Sequence, residues 1–314
     1  MTTNTTPRDT TIRLRRQAPK PKGVLEEYSQ SFACFGGTVM IMASGPNAPK
    51  SIDLAKLLAL EVHRRLSRFE PGSELSRLNS DPRERVRASE IMRTLARATR
   101  RAGIESGGLV DATCLPAVKA AGYSDHWDKL NPDRSAKATL ESEWRGGGWE
   151  KVLVDEDFII RPFGIQLDSG GLGKGIAADL MAAALADCET WLVDCGGDLR
   201  LGGTAGIPRT VHISDPYDGS VVLHTHALAA GAVATSGTTG RSWANGHHLI
   251  DPRTGQPADT GIVQATAVTD TCLEAEISAK TALLRGPETA ADILARGGVY
   301  VTADHALHLV PLRR

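Results

Sequence analysis

The spacing of hydrophobic and polar positions predicts helices and strands that are mixed along the chain. Over residues 49–69, apolar side chains recur at helical intervals and form one face, made of Leu54, Leu57, Leu58, Val62, Leu66 and Phe69. Residues 89–106 form a second helical segment, which ends at the pair Gly107 and Gly108. Further helices are predicted at residues 115–121, 176–186 and 273–284, and residues 125–148 are predicted to be a polar loop with a short helix.

Short, β-prone apolar runs between turn residues predict the strands. The first run, residues 31–43, contains Gly36 and Gly37, which predict a bulge or turn. Other strands are predicted at residues 149–154, 158–162, 165–168, 191–195, 211–214, 221–227, 229–235, 263–268, 299–302 and 305–310, with a Gly-rich turn at 196–203. Because helices and strands do not alternate strictly, we predict an α+β fold with mixed, largely antiparallel sheets and packed helices. Residues 1–25 are predicted to be a flexible tail, and residues 26–314 a single domain.

Composition narrows the classes of function. The chain has 314 residues, a formal net charge of -1 and 4% aromatic residues, which argues against nucleic-acid binding. The polar, basic start has no apolar core of a signal peptide, and no run of about 18 apolar residues predicts a membrane span. We therefore predict a cytoplasmic protein without membrane insertion. The five scattered cysteines fit reduced thiols better than a disulfide framework or a zinc site.

The segment IQLDSGGLGKGIAAD, residues 165–179, carries the clearest candidate chemistry. A Gly-rich turn that leads into a helix can present backbone N–H groups and the helix N-terminus to a phosphate. The helix macrodipole disfavours a positive charge near the N-terminus of a helix, so Lys174 at this position indicates that an anion lies nearby. A tight turn with an exposed lysine is the alternative. In a second Gly-rich turn, Asp194 and Asp198 are candidates for binding a ribose or ring edge, or for capping the turn.

Three other segments are weaker when each is taken alone. FEPGSELSRLN, residues 69–79, is either a polar clamp on a ligand or a helix cap. In HHLIDPRTG, His248 lies close to Asp251 and is a candidate proton carrier, although a structural histidine is the more frequent case. Glu276 and Lys280 are spaced as an i,i+4 ion pair on a predicted helix.

Taken in order, these segments resemble the ApbE family of FAD:protein FMN transferases. FEPGSELSRLN is similar to the family pattern Phe-x-Pro-x-Ser-Glu-Leu-Ser-x-Leu-Asn, and GLVDATCLP to Gly-x-x-Asp-x-Thr-x-x-Pro. LDSGGLGKGIAAD is similar to Leu-Asp-x-Gly-Gly-x-x-Lys-Gly-x-x-x-Asp, and CGGD, TSG and HLIDPRTGQP follow in the family's order. The resemblance spans residues 31–286 and implies a single ApbE-like domain.

The resemblance implies an enzyme that binds FAD with Mg²⁺, splits the pyrophosphate, attaches FMN to a Thr or Ser hydroxyl of a target protein and releases AMP. By motif position, the resemblance implies that the flavin is contacted by Ser73, Leu75 and Asn79, and that the neighbouring wall is ordered by Asp111 and Thr113. It implies that the pyrophosphate turn contains Asp168, Gly171 and Lys174, and that Asp198 lies on the adenosine side. It also implies that Thr235, Ser236 and Gly237 lie near the phosphates. His248, with Asp251 beside it, is implied to lie closest to the acceptor hydroxyl. The chain lacks the acceptor motif Asp-Gly-x-x-Ser/Thr-Gly-Ala-Thr, so the target is expected on another polypeptide or a separately encoded domain.

The last motif departs from the family pattern Ala-Asp-x-x-x-Thr-Ala, in which Asp and Thr hold the metal together with backbone carbonyls. Glu276 stands at the Asp position and Lys280 at the Thr position. A glutamate can ligate Mg²⁺ beside the Gly173 carbonyl, but an ammonium has no lone pair. We therefore predict that Lys280, fixed by Glu276, supplies the positive charge and takes part in catalysis. The alternative is a rearranged metal site with Asp270 or Glu274 as ligand.

The departure leaves two other functions open beside FMN transfer. One is an FAD-binding protein without transfer activity. The other is a Mg²⁺-dependent FAD pyrophosphatase that gives FMN and AMP.

Overall fold

A computed structural model describes residues 25–123, 144, 146–243 and 246–313 of the chain. Most of the predicted tail (residues 1–25) and most of the predicted polar loop (residues 125–148) lie outside these residues. No helix in the described ranges is long and apolar enough to cross a membrane.

An eight-stranded antiparallel sheet forms the centre of the fold. In spatial order its strands are β1 (Glu27–Cys34), β2 (Gly37–Ser44), β6 (Thr190–Cys195), β7 (Leu199–Gly202), β10 (Gly231–Gly237), β15 (Ile262–Thr269), β16 (Gly298–Thr302) and β17 (Leu307–Val310). A three-stranded sheet contains β3 (Arg85–Arg87), β5 (Phe158–Ile160) and β4 (Leu153–Asp155), and β8 (Arg209–Ser214) pairs with β9 (Val222–Leu228). Two short pairs complete the set, β11 (Ser242–Trp243) with β12 (Gly246–His247) and β13 (Ile250–Asp251) with β14 (Gln256–Pro257).

Seven α-helices occur in the described ranges: α1 (Ala48–Leu66), α2 (Glu74–Ser80), α3 (Glu90–Ser106), α4 (Leu115–Ala120), α5 (Gly173–Ala184), α6 (Cys272–Arg285) and α7 (Pro287–Ile293). The first, fifth and sixth pack against one another or against the large sheet. Successive side chains of β10 point to opposite faces of that sheet. Ala232 and Ala234 pack in the core with the helices, and Val233 packs in the core beneath the β8–β9 hairpin. The predicted α+β class with largely antiparallel sheets is confirmed.

Helix α1 exists as predicted, but its buried face differs from the predicted one. The buried positions include Ile52, Ala55 and Ala59, whereas the Leu57 side chain is 64% exposed. Small side chains on the inner face let α1 approach β1, β2 and α5 closely, and this close packing outweighs the larger apolar area of the leucines. The prediction from apolar spacing was therefore right about the helix and about burial of Val62 and Leu66, and wrong about Leu54 and Leu57, which are exposed.

The strand predicted at residues 165–168 is absent, and the chain there has no regular secondary structure. Asn79 holds this segment instead, because its side chain donates to the Leu167 carbonyl at 2.8 Å and accepts from the Leu167 N–H at 2.8 Å. The Asp168 N–H donates to the Ala112 carbonyl at 2.7 Å. These three bonds fix the entry to the Gly-rich turn without a sheet. The turn predicted at 196–203 is also shorter, because β7 begins at Leu199.

Gly175 sits where α5 meets α6. A Cβ at this position would lie 2.8 Å from Glu276 Oε2 and 2.8 Å from Leu273 Cα. We expect Gly175→Ala to lower the free energy of unfolding by about 1–3 kcal/mol, because the two helices must separate to admit a methyl group. Denaturant unfolding measures this change.

Gly72→Ala is the matched control, since a Cβ at Gly72 would meet nothing within 4 Å. We expect its free energy of unfolding to stay within about 0.5 kcal/mol of the wild type. Equal effects of the two substitutions would contradict the close approach of α5 and α6.

Candidate functional site

A cavity of about 530 Å³ lies where α5, α6, β10 and the loops around them converge. This volume falls within the range of about 300–1,000 Å³ that is usual for ligand sites. The cavity brings together eleven of the residues predicted from the sequence: Asp111, Asp168, Gly171, Lys174, Asp198, Thr235, Ser236, Gly237, His248, Glu276 and Lys280.

Lys174 and Asp198 form an ion pair in the cavity wall. The Lys174 ammonium donates to Asp198 Oδ2, and the Asp198 side chain is 2% exposed. Burial alone would lower the pKa of Lys174, but the charges of Asp198 and Glu276 outweigh burial and raise this pKa. Lys174 is therefore a fixed cation at the first turn of α5, where the helix dipole adds positive potential.

The β6–β7 turn aims Asp198 into the cavity. Gly196 and Gly197 adopt φ values of +66° and +94°, a left-handed conformation that favours glycine. The Gly197 N–H donates to Asp194 Oδ1 at 2.7 Å, so Asp194 caps the turn. Of the two carboxylates, only Asp198 lines the cavity, where its Oδ1 also accepts from the Thr235 N–H at 3.4 Å.

Glu276 and Lys280 lie next to this pair on α6. The Lys280 ammonium donates to Glu276 Oε1 at 3.2 Å, and the Gly175 N–H donates to Glu276 Oε2 at 3.1 Å. The side chains of Glu276 and Lys280 are 3% and 13% exposed. Burial raises the pKa of Glu276, and the Lys280 charge opposes that rise. A surface i,i+4 pair would be solvated, whereas this pair is enclosed at the cavity.

The donor set does not suit a divalent cation. Within the described ranges, no group of three or more His, Cys, Asp and Glu side chains is placed to hold a metal ion. Both Glu276 carboxylate oxygens already accept hydrogen bonds, and Gly173 can contribute only its backbone carbonyl oxygen. The alternative ligands, Asp270 and Glu274, instead pair with Arg296, and neither lines the cavity.

His248 lines the same cavity as a neutral imidazole. Burial, followed by the charge of Arg241, lowers the pKa of His248 to about 3. His248 Nδ1 lies 3.3 Å from the Arg241 carbonyl, which can only accept, so Nδ1 carries the hydrogen and donates it. Nε2 is then the free base of the ring. His247 differs, because its Nε2 bonds to the Ala258 carbonyl at 2.9 Å and its Nδ1 accepts from the Leu249 N–H.

Asp251 does not assist His248 in this structure, contrary to its predicted place beside the catalytic histidine. Its Oδ2 accepts from Arg253 Nη2 at 2.7 Å, and its Oδ1 accepts from the Arg253 N–H at 2.9 Å. Arg253 also donates to the Leu284 carbonyl at 3.0 Å. The Asp251 carboxylate therefore holds Arg253, which connects the Asp-Pro-Arg-Thr-Gly turn to α6. Asp251 is not among the residues that line the cavity.

Asp111 and Thr113 brace one wall of the cavity. Asp111 Oδ1 accepts from the Thr113 hydroxyl at 2.6 Å, and Asp111 Oδ2 accepts from the Gly147 N–H at 3.0 Å. Burial raises the pKa of Asp111 despite these bonds. Asp111 lines the cavity, while Thr113 stands behind it.

The three residues expected against the flavin lie behind the cavity wall. Ser73 caps α2 by accepting from the Ser76 N–H at 3.0 Å, and Leu75 is fully buried in the main core. Asn79 is bonded to Leu167. None of the three lines the cavity, and their contact with the flavin stays a prediction. The side-chain polar groups of Ser73 and Asn79 are already hydrogen-bonded within the protein.

Sequence inspection missed Arg68, which lies at the boundary with a smaller cavity of about 90 Å³. Its guanidinium stacks on the rings of Phe69 and Tyr123, 4.3 and 4.5 Å from their centroids, and its Nε lies 3.5 Å from Asp168 Oδ1. The sequence around Arg68 carries no sign of its contact with Asp168. Arg241, in the hydroxyl-rich loop after β10, was also missed and lines both cavities.

Comparison with known proteins finds a family model, described as the ApbE family, that matches residues 38–302. FAD:protein FMN transferase of Escherichia coli strain K12 is 25% identical over 82% of this chain and 78% of its own length. The enzyme of the same name from Rhodobacter capsulatus is 26% identical over 95% of this chain, which spans 58% of that relative.

Solved structures share the fold. The ApbE protein of Thermotoga maritima superposes with a TM-score of 0.78 at 22% identity, covering 90% of this chain and 97% of that one. The flavinyl transferase ApbE of Pseudomonas stutzeri gives a TM-score of 0.74 at 20% identity, covering 91% and 95%. The predicted single domain of this type is thereby confirmed.

Proposed function

The chain belongs to the ApbE family, and from this premise we propose that it transfers FMN from FAD to a Thr or Ser hydroxyl of a target protein and releases AMP. The curated relatives bear the name FAD:protein FMN transferase. One observation carries the proposal for this chain. A single cavity joins a phosphate-binding type of turn, a fixed cation in Lys174 and an unprotonated base in His248.

The reaction is a displacement at the phosphorus atom of the FMN half. The acceptor oxygen forms a bond to that phosphorus, and the bond to the bridging oxygen breaks, so the bridging oxygen leaves with AMP. The hydroxyl proton must pass to a base. We assign that role to His248 Nε2, because the ring is neutral and the bond of Nδ1 to the Arg241 carbonyl leaves Nε2 as the free ring nitrogen in the cavity.

Charge that builds on the pyrophosphate needs positive partners in the cavity. Lys174, Lys280 and Arg241 supply full charges there, and the N-terminus of α5 supplies partial charge. Glycines 170 and 171 let the phosphates approach the backbone, since both line the cavity without side chains. Positioning and neutralisation of charge supply most of the catalysis in phosphoryl transfer.

Mg²⁺ is the cofactor that family resemblance implies, and Glu276 with the Gly173 carbonyl is the predicted ligand pair. The enclosed ammonium beside Glu276 does not fit that assignment. We therefore assign no step to a metal ion. Cytoplasmic localisation and an acceptor on another polypeptide or a separately encoded domain stay predictions.

Transfer is tested by mixing the protein, FAD and a test protein that carries the family acceptor motif Asp-Gly-x-x-Ser/Thr-Gly-Ala-Thr. We expect a flavin-fluorescent band at the acceptor position on a denaturing gel. The covalent phosphoester stays attached when the protein is denatured, whereas non-covalently bound FAD dissociates. The matched control is the same acceptor with every hydroxyl residue of the motif replaced by Ala, which should stay dark.

Two other results would contradict the proposal. Free FMN and AMP in equal amounts without a labelled band would identify an FAD pyrophosphatase. FAD that stays bound and intact would identify a flavin-binding protein without transfer activity.

A further inference from the structure

We propose that the Lys280 ammonium replaces a divalent cation at the pyrophosphate, so that this chain binds FAD without Mg²⁺. The inference rests on the proposed function for the identity of the ligand. It concerns how the ligand is bound, and binding can be measured without transfer.

Two contacts hold the Lys280 side chain in place. Glu276 Oε1 accepts from its ammonium at 3.2 Å, within one turn of α6. A Cβ on Gly171 would come within 3.2 Å of Lys280 Cε, so the aliphatic stem lies against the Gly-rich turn. The side chain is 13% exposed and lines the cavity, so its remaining opening is the ligand space.

Glu276 is committed to holding this ammonium. Its Oε2 accepts from the Gly175 N–H at 3.1 Å, which leaves Oε1 as the oxygen that faces Lys280. Mg²⁺ requires close, near-octahedral oxygen ligands at about 2.0–2.1 Å. An ion at Oε1 would have to displace the ammonium and would be repelled by it, since an ammonium offers three donors and no lone pair.

The Lys280 charge also acts on the cavity beyond its own ion pair. It contributes to the lowered pKa of His248, a residue from the loop on another wall. Lys174 on α5 is paired with Asp198, which is the other carboxylate of this group. The two ion pairs form an alternating set of charges, and each ammonium keeps hydrogen atoms that its carboxylate does not use.

An ordinary ion pair that only stabilises α6 is the competing explanation. Exposed i,i+4 pairs contribute about 0.2–0.5 kcal/mol to a helix and have no effect on ligands. The enclosed position of Lys280 against the Gly-rich turn is not needed for that purpose. The two explanations differ in one measurable property, the dependence of FAD affinity on Lys280 and on divalent cations.

The test is a titration of FAD by fluorescence quenching, with EDTA or with MgCl₂. For the wild type we expect the two dissociation constants to agree within about twofold, because the positive charge is part of the chain. Lys280→Met should weaken binding in EDTA by about 10- to 100-fold, as expected for the loss of a hydrogen bond to a charged group. The control Lys119→Met, at an exposed position of α4, should bind like the wild type.

A second pair of variants separates binding from folding. Glu276→Gln combined with Lys280→Met removes both charges, so no lone charge is buried, and we expect a folded protein with the same loss of FAD affinity. Lys280→Thr offers an oxygen in place of the ammonium and should make FAD binding stronger with MgCl₂ than with EDTA.

Wild-type binding that disappears in EDTA and returns with MgCl₂ would overturn the inference. Wild-type affinity in the double variant would overturn it as well. These outcomes are distinct from a failure of the proposed function. FAD that binds in EDTA but is never transferred would contradict the proposed function and leave the role of Lys280 intact. Transfer that requires added MgCl₂ would support the proposed function and contradict the role of Lys280.

Discussion

Replacing His248 with Asn is expected to slow FMN transfer by about 10²–10⁴-fold, the usual contribution of a positioned general base. The residue lines the cavity, and its Nδ1 hydrogen is engaged by the Arg241 carbonyl. Only Nε2 is then free to take the acceptor proton. FAD binding should be retained, because Lys174 and Lys280 supply the charges that hold the phosphates. Initial rates with saturating FAD, together with an FAD titration, measure both effects.

His247→Asn is the matched control for this experiment. His247 bonds to the Ala258 carbonyl and the Leu249 N–H and does not line the cavity. We expect its folded fraction to transfer FMN at the wild-type rate. A rate loss of similar size in both variants would show that the loop, and not the imidazole of His248, limits the reaction.

Replacing Lys174 with Met is expected to abolish measurable FAD binding and to lower the free energy of unfolding by about 3 kcal/mol. Removing one partner of a buried ion pair costs about 3–5 kcal/mol because the other charge stays buried. We place the effect at the lower end, because the Lys174 side chain is 24% exposed whereas that of Asp198 is 2% exposed. Denaturant unfolding and FAD titration measure the two effects separately.

Lys174→Met combined with Asp198→Asn is the informative companion. It removes both charges and should recover most of the lost stability, since residues in contact couple strongly in double-mutant cycles. FAD binding should not recover, because the cation is still missing. Full recovery of binding in the double variant would mean that Lys174 matters to the site only as a partner of Asp198.

The sequence predicted most elements of the fold, and its errors have physical causes. Part of the face of α1 was misassigned because leucine spacing suggested burial of Leu54 and Leu57, while Ala55 and Ala59 provide the close contact. No strand forms before the Gly-rich turn because Asn79 satisfies the Leu167 backbone across 88 residues of sequence. Local periodicity carries no information about such distant partners.

Prediction of the site was best where a backbone conformation dictates the residue type. Asp198 falls in the cavity as predicted, because it follows Gly196 and Gly197, whose positive φ values are a local property. Gly171 and Lys174 also fall there as predicted, because they lie at the start of α5. Contacts between distant segments were not accessible. Nothing in the sequence pairs Arg68 with Asp168. The proximity of Asp251 to His248 in sequence was misleading, since Arg253 is the nearer partner of that carboxylate.

The most direct test of FMN transfer is intact mass spectrometry of the acceptor protein after incubation with FAD and this chain. We predict a mass increase equal to FMN minus water, formation of one AMP for each modified acceptor, and no increase when the hydroxyl residues of the motif are replaced by Ala. An acceptor of unchanged mass, while FAD is consumed or stays bound, would contradict this prediction.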